Sequence, residues 1–201
     1  MRKLFLLIIT LLASVNCLGL SSQKQSYVGP NALGPYRIDK TVLVRDLLRR
    51  LGQAAQLGKN HVCYRSQDGT AFFWFEEMAH HSTRVGDVML SSFPNCIDGP
   101  VYITPEAMQA WKTEKGIGLG STTQDILNAY GQPSKDAKIE GTAYRSLIQG
   151  DYLVKESRYA NVKRPELGER ALVYVNPDDL RSAAFGIREG KVVWISLGNS
   201  E

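Results

Sequence analysis

The chain has 201 residues, with 24 Lys and Arg against 20 Asp and Glu, and is 43% hydrophobic and 22% charged. That composition excludes a disordered, collagen-like or fibrous chain, and the length suits one ordinary domain or two small ones around a real core. A formal charge of +4 is too mild for the basic face that general nucleic-acid binding needs, so no nucleic-acid partner is expected.

Residues 1–17 set the expected compartment. Arg2 and Lys3 precede an apolar run from Leu4 to Leu12, and the small-residue stretch Ala13-Ser14-Val15-Asn16-Cys17 follows. A basic start, a short apolar core and such an exit read as a secretory signal peptide. The run is about half the ~20 residues that a bilayer span requires, which argues against a transmembrane anchor. Two exits are open. One is ordinary cleavage near Leu18, giving a soluble periplasmic or extracellular protein. The other is lipidation of Cys17, giving an envelope lipoprotein attached to the membrane through that residue alone, although Asn16 replaces the small residue usual before a lipidated cysteine.

Export bears on the remaining cysteines. Cys63 and Cys96 are the two outside the leader, and an oxidising compartment favours their pairing as a disulfide. Closing a loop of that size is worth roughly 3 kcal/mol in the chain-entropy model. The rival is a catalytic thiol beside His61, His80 or His81, which would leave a second cysteine unexplained.

Residues 18–35, with Gly29-Pro30 and Gly34-Pro35, lack periodicity and read as a flexible N-terminal tether. Two repeats are expected beyond it, over residues 36–100 and 101–201. The first opens with Ile38 to Gln53, which sets Leu43, Leu47, Leu48 and Leu51 on one helical face. The second carries Leu119 to Gln132. Superposing Gly52 on Gly131 aligns Asp46 with Asp125, Leu47 with Ile126, Leu48 with Leu127, Leu51 with Tyr130 and Gln53 with Gln132.

Strands are expected after each helix. In the first repeat they are His61–Ser66, Ala71–Glu77 and Arg84–Ser91, with Gln67-Asp68-Gly69 as a hairpin turn. In the second they are Ala143–Gln149, Tyr152–Tyr159, Ala171–Val175, Ser182–Arg188 and Lys191–Leu197, with a tight turn at Glu189-Gly190. A further short helix is expected from Thr104 as N-cap through Trp111. The fold class is therefore α+β, two tandem repeats of a helix packed on an antiparallel meander with one sheet face left open.

The segment Gly116-Ile117-Gly118-Leu119-Gly120-Ser121-Thr122, then Asp125-Ile126-Leu127 and Tyr130-Gly131-Gln132-Pro133, resembles the opening of the repeat in the β-lactamase-inhibitor-protein-like superfamily. That superfamily includes the SmpA/OmlA-type envelope lipoproteins. The resemblance covers about twenty residues closely and the rest of the second half in outline, and the first half departs from it at Thr41 and after Gly52-Gln53. It implies helix-plus-sheet modules in tandem and a protein-binding role, without naming a partner.

Chemistry is sparsely signalled. The glycine run lacks the Gly-Lys-Ser/Thr of a phosphate loop and the spacing of a dinucleotide fingerprint. Ser121 with Gln124, or Thr122 with Asp125, reads instead as a capping box. His80-His81 near Glu76 and Glu77 lacks a metal-site pattern, Asp178-Asp179 lacks the alternation of a calcium loop, and no GxSxG elbow is present. No catalytic, cofactor-binding or metal-ligating residues are expected, and the chain is read as a non-enzyme.

The aromatics carry the functional expectation. Phe72 and Trp74 occupy one side of their strand, Tyr174 shares a side with Leu172, and Trp194 lies opposite Val193, Ile195 and Leu197. Such rings on a second sheet face want cover, which either the sister repeat or another protein supplies, and on the second reading Phe72, Trp74, Tyr174 and Trp194 are the candidate partner-binding residues. The expected function is non-enzymatic binding of another envelope or secreted protein, or a structural role. The alternatives are an envelope hydrolase with an unrecognised site and a small-molecule or peptidoglycan-binding module.

Overall fold

The computed structural model describes residues 29–38, 40–52, 61–78, 81–94, 100–139, 165–176 and 181–199. The leader with Cys17, the segment holding Cys96, His80, Asp178-Asp179 and the expected strands Ala143–Gln149 and Tyr152–Tyr159 lie outside the described residues.

The chain is α+β and mostly strand. A two-residue hairpin, β1 (Ala32–Leu33) with β2 (Tyr36–Arg37), precedes helix α1 (Val44–Leu51). Strands β3 (His61–Ser66), β4 (Phe72–Met78), β5 (His81–Ser91) and β6 (Val101–Thr104) follow, then a 3₁₀ turn (Met108–Ala110) and helix α2 (Thr123–Tyr130). Beyond these come β7 (Lys135–Lys138), a second 3₁₀ turn (Pro165–Leu167), β8 (Arg170–Val175), β9 (Arg181–Arg188) and β10 (Lys191–Asn199). Eight strands form one sheet in the order β6-β3-β4-β5-β10-β9-β8-β7. β5 and β10 pair antiparallel at its centre, with Leu90 opposite Ile195 and Val88 opposite Leu197.

Two expectations change here. Residues 29–35 are folded rather than a tether, because Leu33 buries its side chain completely in the main core. The segment expected as a helix from Thr104 through Trp111 forms only a 3₁₀ turn at Met108–Ala110, and Thr104 itself ends a strand. Val101-Tyr102-Ile103-Thr104 is a β-branched and aromatic run that pairs in parallel with β3, Cys63 opposite Val101 and Ser66 opposite Thr104. The sheet is therefore mixed, and β6, which lies just beyond the expected repeat boundary at residue 100, joins the strands of the first half.

The expected turns form. Ser66 N donates to Ala71 O at 2.9 Å, and the Asp68 carboxylate accepts from the Ser66 and Thr70 hydroxyls and the Thr70 N–H, which hold it below the usual carboxylate range. Glu189 and Gly190 both have positive φ (53° and 73°) between β9 and β10, as a tight primed hairpin turn requires.

One sheet face carries both helices. Val62, Tyr64, Phe73, Phe75, Val88 and Leu90 from the first half, and Leu172, Tyr174, Phe185, Ile195 and Leu197 from the second, form one core with Val44, Leu47 and Leu51 of α1 and Ile126 and Tyr130 of α2. Leu43 stands at the N-cap of α1 without a side-chain cap bond. α2 has the full capping box, Asp125 N donating to Thr122 Oγ1 at 3.2 Å and Thr122 N to Asp125 Oδ2 at 2.8 Å. The Thr122 N–H and the Thr122 hydroxyl, both donating to the Asp125 carboxylate, hold it below the usual range.

Candidate functional site

The second sheet face decides which aromatics are available. Register places Cys63, Trp74, Met89 and Ser196 in one row across it, and Arg65, Phe72, Ser91 and Trp194 in the next. This face has its own apolar cluster of Met89, Phe93, Leu167, Ala171, Val173, Ala184, Val193 and Trp194, with Trp74 and Ile139 packed partly against it. It is covered over much of the described structure rather than open.

Trp194 has 0% of its surface exposed. Its indole N–H donates to Leu167 O at 2.8 Å, and its ring lies on Gly186, the cross-strand neighbour, where a β-carbon would overlap it. Tyr174 is 1% exposed and belongs to the opposite, helix-covered face. Its ring stacks edge-on to Phe185, centroids 6.0 Å apart, and its hydroxyl donates to Gly131 O at 3.0 Å. Phe72 is buried as well, which leaves Trp74, half-buried, as the one expected binding aromatic with accessible surface. Trp194, Tyr174 and Phe72 are thus held by packing and hydrogen bonds inside the protein. An alternating strand pattern does not reveal this, because cover for a second face arrives from distant segments.

Among the described residues the exposed large apolar side chains are Val175 at the end of β8 and two on the β6 edge. Val101 is 43% and Ile103 61% exposed. Their register partners Cys63 and Arg65 place both on the Trp74 side of the sheet. Tyr102 faces the other way, its ring 6.0 Å from that of Tyr64. Thr104 is buried and its hydroxyl accepts from Glu106 N at 3.2 Å, turning the chain where Glu106 pairs with Arg50 at 3.1 Å. Sequence reasoning missed Val101 and Ile103, although a β-branched and aromatic run between Pro100 and Pro105 is the signature of a short strand.

The far edge, β7, is built differently. Lys135, Asp136 and Lys138 are exposed there, and Arg170 Nε donates to Asp136 Oδ1 at 2.6 Å, holding the Asp136 carboxyl below the ordinary range. Charges of this kind blunt an edge against further strand pairing. β6 has none.

The glycine-rich loop holds no ligand cradle. Gly116 N donates to Thr113 O, Gly118 N to Ser121 Oγ at 3.0 Å and Gly120 N to Val192 O at 2.8 Å, so its amides are used within the fold. Among the described residues no group of three or more His, Cys, Asp or Glu is placed to hold a metal ion, and no helix is long and apolar enough to cross a membrane. His61 and His81 fall on β3 and β5. Compared with protein-family models, with curated proteins and with solved structures, the chain matches none.

Proposed function

We propose that this is an exported, non-enzymatic binding module that engages another envelope or secreted protein at the β6 end of its sheet. The observation that carries the reading is the uncharged edge strand Val101–Thr104, which presents Ile103 at 61% exposure on the same side as Trp74. An exposed apolar edge invites strand pairing unless something uses it. The candidate contact residues become Trp74, Val101 and Ile103, with Phe72, Tyr174 and Trp194 as scaffold. Export rests on the leader at residues 1–17, and attachment to a membrane would run through a lipidated Cys17.

The tandem-repeat reading belongs to the same proposal, and three observations support it. The helix alignment matches like with like: Leu47 and Ile126 are buried, Leu48 and Leu127 half-buried, Leu51 and Tyr130 buried. In each half a core tyrosine donates to the carbonyl of the glycine that ends the helix, Tyr64 to Gly52 O at 2.7 Å and Tyr174 to Gly131 O at 3.0 Å. The central pairs Leu90–Ile195 and Val88–Leu197 are those that a two-fold relation between β5 and β10 would exchange. The resemblance to the β-lactamase-inhibitor-protein-like repeat stands with this reading. A Cys63–Cys96 disulfide is proposed too, with Cys63 buried beside Trp74 on the second face.

Site-specific photocrosslinking tests the function. A photoreactive residue at position 103 is expected to trap one defined partner in the exporting cell, and Trp74→Ala to weaken that capture. Labelling no stronger at 103 than at Lys138 on the opposite edge would overturn the proposal.

A further inference from the structure

The hairpin of residues 29–38 touches both halves of the sheet. Leu33 and Tyr36 face each other across it and are fully buried. Tyr36 Oη donates to Gly86 O on β5 at 2.9 Å, and Gly34 N donates to Lys112 O at 3.1 Å. At Gly34, a β-carbon would sit 2.5 Å from the Trp111 indole, which in turn meets Phe73 edge-on with centroids 5.1 Å apart. On the other side Arg181 of β9 donates to Asn31 Oδ1 at 3.2 Å.

One carboxylate gathers these ties. Glu114 Oε2 accepts from the backbone N–H groups of Asn31 and Ala32 at 3.1 and 3.0 Å, while its Oε1 lies 3.1 Å from the Tyr130 hydroxyl of α2. Tyr130 also lies 2.7 Å from Thr113 Oγ1 and carries Lys115 Nζ above its ring at 4.7 Å. A charged acceptor shared by two backbone donors is stronger and more directional than a neutral one.

We infer that residues 29–38 are a latched strap across the seam of the two halves, with Glu114 as the latch. Whatever precedes Gly29 then joins the protein at that seam, and strap opening is a local event separable from global unfolding.

Hydrogen exchange on the full chain tests this. Glu114→Ala is expected to speed exchange at the Asn31 and Ala32 amides by about tenfold or more, with a smaller rise for Glu114→Gln, while Ile195 in the central strand keeps its protection. Glu106→Gln, which removes the Arg50 pair on another loop, serves as the control and should leave the strap unchanged. If Glu114→Ala fails to fold, Glu114→Gln carries the comparison. Unaltered exchange at residues 31 and 32 would overturn the inference. So would an equal acceleration at Ile195, since Glu114 would then be a general stabiliser and not a latch.

Discussion

Trp194 shows how one side chain settles which surface a sheet can offer. Its ring needs a bare partner, which Gly186 supplies, and its N–H needs an acceptor, which Leu167 O supplies. Gly186→Ala forces a β-carbon into the indole within a rigid sheet, so a loss of about 3 kcal/mol or more is expected from denaturant midpoints at unchanged m-value. Tyr64→Phe and Tyr174→Phe each remove one half-buried bond to a helix-ending carbonyl and should cost about 1 kcal/mol, adding in the double variant because the sites are independent. The same hydroxyls impose a pH limit. Burial pushes Tyr64 and Tyr174 up to about 12 and raises Tyr36 and Tyr130 further. A group whose pKa is higher folded than unfolded contributes fully below the unfolded value, here about 10, and loses its contribution as pH rises toward the folded one. The tyrosine contribution to stability should therefore be constant up to about pH 10 and then fall by up to ~1.4 kcal/mol per pH unit for each such tyrosine. Absorbance at 295 nm should show these four ionising only as the far-UV signal is lost.

The two edge strands carry opposite chemistry at the scale of elements. β7 alternates Lys135, Asp136 and Lys138 and ties Asp136 to Arg170, whereas β6 is Val-Tyr-Ile-Thr. Ile103→Lys should leave thermal stability nearly unchanged, since most of the side chain is in water, yet reduce self-association in analytical ultracentrifugation. Removing the guard from the other edge with Asp136→Val and Lys138→Val should raise it. The helices differ in a similar way. α2 has a capping box and α1 none, so Thr122→Ala should cost about 1 kcal/mol in thermal denaturation, with no comparable site at Leu43. The difference is written in the N-cap residues themselves, Leu43 for α1 and Thr122 for α2.

Among the described residues one eight-stranded sheet spans both halves, which meet at β5 and β10 through backbone pairing over Trp194–Gly198. A shared ladder and a shared core leave neither half a natural boundary at which to unfold alone. Fluorescence and far-UV circular dichroism are expected to report one coincident transition. If Cys63 and Cys96 are joined, reduction should lower that transition by roughly 3 kcal/mol without splitting it.

Local chemistry made the helices, the tight turns and the strands from His61 to Ser91 and from Arg170 to Leu197 legible in the sequence. Apolar spacing, the Thr122–Asp125 box and turns such as Glu189-Gly190 act over a few residues, so the chain carries them wherever it folds. Gly52 and Gly131 as the helix ends were legible for the same reason. Tertiary structure alone decided which apolar faces stay open. Whether Trp194 or Ile103 meets water depends on Leu167, Gly186 and Arg65, residues from 8 to about 40 positions away that no local period encodes. The fold also turned an apparent tether into a strap, because the burial of Leu33 and Tyr36 exists only once Trp111, Glu114 and Gly86 have been brought around them.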